Sequence, residues 1–187
     1  MLEFDGQRAL RGAVCGTVAA AVWAVQQPLD KRAFASGYDD VEIVGRGLTR
    51  GEHWYPAGLA THLSAGAMFG VVYANIAPAL PVPAALRGPV VAAAEHLATW
   101  PLNRLVDSLH PARDDLPILS GNRRAWLQGL WRHLLFGFVL GELERRLAGG
   151  EETEPPAEEA DYSANGHGPI EHTFTVTTPS GPENRGS

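Results

Sequence analysis

The chain has 187 residues, a length that suits one domain of ordinary size. It is 45% hydrophobic and 19% charged, below the roughly 25% charged of an average soluble domain. Acids exceed Lys plus Arg by 21 to 15, which excludes a basic nucleic-acid binder. The single cysteine, Cys15, excludes an intramolecular disulfide framework and a Cys-based zinc finger.

The first apolar run, Gly12 to Leu29, has 18 residues and no charge. As a helix it would measure about 27 Å at ~1.5 Å per residue, close to the ~30 Å of a bilayer core. With Arg8 and Arg11 ahead of it, Met1 to Ala24 also has the form of a signal peptide. The repeat described below argues instead for a retained helix. Pro28 is expected to end that helix, and Asp39-Asp40 follow in a loop as turn residues or divalent-cation ligands. His53 to Leu86 then runs 34 residues without Asp, Glu, Lys or Arg. Gly88 to Asn103 is apolar except for Glu95 and His96, with Pro101 closing it. Asp114-Asp115 lie in the next loop, and Ala125 to Leu143 is apolar apart from Gln128, Arg132, His133 and Glu142.

These four stretches read as membrane spans. They lack the polar stripe that a soluble bundle turns to water, and they are rich in Gly and Ala, which permit close packing in lipid. Trp54, Trp100 and Trp126 fall at one end of their helices if the chain alternates direction, as an interfacial aromatic belt would. The expected fold is all-α, a four-helix transmembrane bundle over residues 1–148, with the lipid bilayer as its partner and no nucleic acid. Residues 149–187 carry eight acids against Arg185 and are rich in Pro, Gly, Ser and Thr. That composition predicts a disordered acidic tail, despite the strand-like alternation of His172 to Thr178.

The bundle reads as two repeated hairpins, about 9–80 and 85–147. Residues 58–70 and 129–141 share the pattern G-L-x-x-H-L-x-x-G-x-x-x-G, with six identities in 13 positions. Upstream, Arg11-Gly-Ala-Val14 answers Arg87-Gly-Pro-Val90, and Pro28-Leu-Asp-Lys31 answers Pro101-Leu-Asn-Arg104. Asp39-Asp-Val-Glu-Ile-Val44 answers Asp114-Asp-Leu-Pro-Ile-Leu119, so four echoes keep one order, as a duplication would. Gly58, His62, Gly66 and Gly70 are spaced by four and form one stripe; Gly129, His133, Gly137 and Gly141 form the same stripe on the last helix. The simplest use of these glycines is to pack the second and fourth helices together, or against a second subunit in a homodimer.

His62, Glu95, His96, Arg132 and His133 all fall near the middle of their spans and predict a polar layer. Ionisable groups at that depth face the interior and mark function by default. Glu95 and Arg132, at matching depth on antiparallel helices, are expected to pair. The histidines read as neutral interhelical hydrogen-bond partners, as proton carriers with Glu95, or as ligands of a metal or haem b. No cofactor is expected outright; His62, His96 and His133 are the candidate ligands for the metal or haem alternative. No phosphate loop, nucleophile elbow or H-E-x-x-H motif occurs, and neither Ser64 nor Cys15 has a base at motif spacing. The reading leans away from an enzyme and toward a membrane protein that handles protons or a small ion through this layer, with a haem- or metal-binding membrane protein and a purely structural partner subunit as the alternatives.

Scattered residues carry a family likeness. A histidine followed by Phe69-Gly-Val-Val-Tyr73, Pro81, His96 before Pro101-Leu102, His110-Pro111, Asp115-Leu-Pro117, and Trp131-Arg-His133 before Glu144-Arg-Arg146 resemble the YagU-like bacterial inner-membrane family over about residues 8–147. The resemblance implies a multi-pass inner-membrane protein of unestablished activity and supplies no catalytic residues. Eight basic residues flank the two inter-helix loops within the hairpins, against five on the side of the N-terminus. By the positive-inside rule those loops face the cytoplasm and both termini lie outside.

Overall fold

The computed structural model describes residues 4–49 and 51–152. Their regular structure is all helical, with no strand among them: α1 Gly6–Phe34, α2 Asp40–Leu48, α3 Trp54–Ile76, α4 Ala84–Thr99, α5 Asn103–Leu109 and α6 Arg123–Glu152. Short 3-10 turns extend α3 at Ala77–Ala79 and link α4 to α5 at Trp100–Leu102. Helix α6 runs to Glu152, past the expected tail boundary at Gly149; the rest of the tail lies outside the described residues.

Local chemistry accounts for the ends of these elements. Asp5 caps α1 by accepting from the backbone amides of Gln7 and Arg8. The helix stops where Ala35 takes the left-handed conformation, its N–H and that of Ser36 closing onto Arg32 and Lys31. Pro28 does not end α1, contrary to expectation; the helix carries it six residues from its end, where a lost amide hydrogen bond is tolerated. Pro101 does interrupt its helix, turning α4 into the 3-10 link. Asp39 caps α2, with Glu42 at the third helical position, so a capping box lies inside what reads as a loop. Asp107 performs the same service for the 110–122 loop, accepting from the backbone amides of Leu119 and Ser120. Burial opposes its ionisation, but those amides prevail and hold its carboxyl below the usual range.

Packing follows residue size in an inverted sense. On α1 the buried stripe is Ala9, Gly12, Cys15, Gly16, Ala19, Ala20 and Trp23, continuing to Gln27 and Asp30. Leu10, Val14, Val18, Val25 and Leu29 face outward. Helix α6 buries Gln128, Arg132 and Glu144 while exposing Leu127, Trp131, Leu134 and Phe138. Buried charges beneath an apolar exterior are the informative departure from ordinary soluble packing. Two helical stretches, Gly6–Phe34 and Trp54–Ala79, are long and apolar enough to cross a membrane. Helix α4 has the 16 residues of the stretch expected at Gly88 to Asn103 but lies four residues earlier, starting at Ala84 and giving way to the Pro101 turn after Thr99.

The glycine stripes do not join α3 to α6, as expected, but close each hairpin on itself. A Cβ on Gly70 would lie 1.9 Å from the carbonyl oxygen of Gly12, and one on Gly16 would lie 2.0 Å from that of Gly66. In the second hairpin a Cβ on Gly88 would lie 2.0 Å from the Gly137 oxygen, with the Gly141 Cα at 3.1 Å. The reason is that α1 and α4 bring small residues of their own, Gly12/Gly16 and Gly88/Ala92, at the matching spacing. The remaining stripe glycines serve other contacts: Gly58 meets Val41 and Gly45 of α2, and Gly129 meets His96 and Trp100. A Gly70→Leu substitution should therefore cost at least about 3 kcal/mol, since backbone cannot yield as a side chain does. Thermal unfolding in detergent should show a markedly lower midpoint, while Gly6→Ala, with nothing within 4 Å, stays at the wild-type value.

Candidate functional site

The close contacts between backbones end one helical turn from Gly66 and Gly137, where the stripe positions are His62 and His133. Beside these two imidazoles is a cavity of about 150 Å³, lined from four helices by Ala20 and Trp23 of α1, His62, Ala65, Gly66 and Phe69 of α3, Ala92 and Glu95 of α4, and His133 and Phe136 of α6.

Trp23 stands at its centre. Its ring is 5.3 Å from that of His62 and 4.8 Å from that of His133, both edge-on. The space between the two imidazoles, where the sequence allowed a haem, is filled by indole. Trp23 Nε1 donates to Asp40 Oδ2 at 3.1 Å. His62 donates from Nε2 to the carbonyl of Ala20 at 3.2 Å.

His133 and Glu95 form a close pair. His133 Nε2 lies 2.7 Å from Glu95 Oε2, and His133 Nδ1 donates to the carbonyl of Gly129 at 2.7 Å. With Nδ1 committed as a donor, Nε2 and the carboxylate have one proton between them. It sits on the imidazolium or on the acid, and the pair is neutral either way. Behind His133, the His96 ring lies 4.7 Å away, 1% exposed, with its Nε2 unpartnered.

Arg132 does not pair with Glu95. It is fully buried and turns toward the α1–α2 junction, where Nε and Nη2 donate to Asp30 at 2.6 Å each and Nη1 donates to Asp40 at 2.7 Å. The chain direction explains the difference: Arg132 and His133 are successive on a helix, so their side chains diverge by about 100°. Gln128 adds a bond to Asp30 at 2.6 Å, Gln26 another at 2.6 Å, and the Tyr38 hydroxyl donates to Asp40. Asp30 thus accepts from four donor groups and Asp40 from three, which leaves both as carboxylates. Burial opposes ionisation of Asp40, but the Arg132 guanidinium and the Tyr38 hydroxyl hold it below the usual carboxylate range.

The predicted layer is therefore divided. His62, Glu95 and His133 meet at the cavity, His96 backs it, and Arg132 belongs to a separate ion cluster. Asp39 is paired with Lys31 and caps α2, and Asp40 lies inside that cluster, so both carboxylates are engaged within the protein. Asp114 is 91% exposed and pairs only loosely with Arg113 at 3.7 Å. Among the described residues no three His, Cys, Asp or Glu side chains gather as a metal site would require.

Trp23, Asp30, Phe69 and Phe136 were not among the residues expected at the site. The spacing of Gly16, Trp23, Gln27 and Asp30 puts them on one stripe of α1, a signal that could have found Trp23 and Asp30. Comparison of the chain with family models, with curated proteins and with solved structures gives no match in any of the three.

Removing the guanidinium should be severe, because two buried carboxylates would lose their counter-charge. Arg132→Met is expected to cost about 3–5 kcal/mol. Its melting midpoint in detergent should fall well below that of wild type, and the further changes Asp30→Asn and Asp40→Asn should recover part of the loss. A single variant as stable as wild type would show that the cluster carries no structural weight.

Proposed function

We propose that this chain is a four-span membrane protein of the bacterial inner membrane that carries protons through the Glu95–His133 pair. The observation that supports it best is the pair itself: one shared proton, 2.7 Å between the heavy atoms, at a cavity walled by four helices. The ordinary carboxyl and imidazole ranges lie about two units apart, a gap that burial and neighbouring charges are able to close, so the surroundings decide which group holds the proton. The inverted packing, with charges inside and Leu, Val and Phe outside, supports lipid as the outer solvent. In this reading α4 and α6 cross together with α1 and α3. The four echoes between the hairpins, and their matching glycine contacts, support descent from a duplicated hairpin, with a pseudo-two-fold axis along the membrane normal.

The spans and the proton are tested separately. In a Cys15→Ala background, cysteines at Glu52 and Asp114 should label from one side of the membrane and a cysteine at Pro81 from the other. If only α1 and α3 crossed, Asp114 would label with Pro81. In liposomes, the wild type should dissipate an imposed pH gradient at least about tenfold faster than Glu95→Gln, in line with the loss of an obligatory proton carrier. Equal rates for the two proteins would overturn proton carriage.

A further inference from the structure

The walls of the cavity are more specific than proton carriage requires. Trp23, Phe69 and Phe136 meet there, with Trp23 and Phe136 at 6.2 Å and 74° and Phe69 and Phe136 at 5.3 Å and 83°. Rings joined at nearly right angles form adjacent sides of a box. Glu95, the carboxylate facing it, keeps 35% of its side chain exposed. An aromatic box beside one carboxylate is the chemistry that binds an organic cation.

The charges agree. Around the cavity, Asp40 stands behind Trp23, Asp30 and Arg132 lie beyond it, His62 faces it from α3, and His96 and His133 flank Glu95. Asp30 and Asp40 are two carboxylates against one guanidinium, while Glu95 and His133 together are neutral. The layer keeps one uncompensated negative charge, which repels anions. A hard cation such as Ca2+ or Mg2+ would need about six oxygen ligands, and Glu95 is the one carboxylate among the lining side chains. Allowing roughly 30 Å³ for each small heavy-atom group, as for liquid water, the cavity holds on the order of five.

We propose that this cavity binds a small organic monocation, such as a quaternary or protonated amine, in exchange for the proton shared by Glu95 and His133. The cation binds against the Glu95 carboxylate and the faces of the rings. His133 stays neutral with its Nδ1 proton on the Gly129 carbonyl, and the shared proton leaves to solvent. One positive charge enters as one departs, so the exchange keeps the buried charge constant. The inference rests on the shared proton of the preceding reading, but adds a ligand that proton carriage does not need.

The test is calorimetric titration of the full-length protein in detergent with tetramethylammonium chloride, repeated in buffers of different ionisation enthalpy. Saturable binding with release of up to one proton per cation is expected, with tert-butanol, a neutral molecule of similar shape, failing to bind. Glu95→Gln should abolish both binding and release. Phe69→Leu should weaken binding about tenfold, as expected for removal of one cation–π wall, with each bound cation still releasing its proton. Absence of binding, binding without proton release, or equal binding by Glu95→Gln would overturn the exchange. Loss of gradient dissipation alone, with cation binding and release intact, would overturn only the proton carriage proposed above.

Discussion

Helix backbones in direct contact are the constraint from which the rest of this structure follows. Where Gly12 and Gly16 lie on Gly66 and Gly70, and Gly88 lies on Gly137 and Gly141, no volume remains for side chains between the axes. Bulky residues are consequently displaced outward, and Leu, Val and Phe cover the surface. Dispersion between closely spaced backbones adds to a small core built around Cys15, Trp23, Tyr73, Phe136 and Leu140. That arrangement is unfavourable in water, where the exposed apolar area would carry the full hydrophobic penalty, and natural in lipid, where it carries none.

The site lies beside the same contacts. In each hairpin two stripe glycines, Gly66 and Gly70 or Gly137 and Gly141, meet the backbone of the partner helix, and the histidine lies one turn away. Trp23 fills part of the space there, and Phe69, Phe136, Glu95 and the two imidazoles line what remains. Two ion clusters brace the helices on either side of this opening. Toward the α1–α2 junction, Arg132 ties Asp30 and Asp40 together; near the start of α1, Arg11 donates to Glu144 of α6 at 2.7 Å, both largely buried. Each cluster joins the first hairpin to the second, so rigid bracing surrounds a centre that is loosely filled.

Asp40 links the two regions. One of its oxygens accepts from both Trp23 and Arg132, so the indole that separates the two imidazoles is held in place by the ion cluster. Disturbing either neighbour would reach the other through a single carboxylate. Buried polar networks of this kind are costly when incomplete, and here nearly every lone pair of Asp30 and Asp40 has a donor. The orphaned atoms, Gln27 Nε2, Gln128 Oε1 and His96 Nε2, lie at the edges of the network.

The sequence by itself determined the helical class, the long apolar runs and the positions of the spaced glycines, because these depend on composition and on a period of 3.6 residues. It also placed His62, Glu95 and His133 at one depth, since rise per residue is constant along a helix. Helix α2 was legible in principle from the Asp39–Glu42 capping box, but its surroundings read as a loop. Only the tertiary structure decided which partner each residue met. Depth along an axis says nothing about azimuth between axes: Arg132 and His133 share a depth, yet one turns to Asp30 and Asp40 and the other to Glu95. The glycine stripes likewise specified close approach without naming the neighbour, and the choice fell to α1 and α4 because they carried complementary small residues within the same hairpin. The aromatic box belongs to the same category, for Trp23, Phe69 and Phe136 come from three helices and become one surface only when those helices pack.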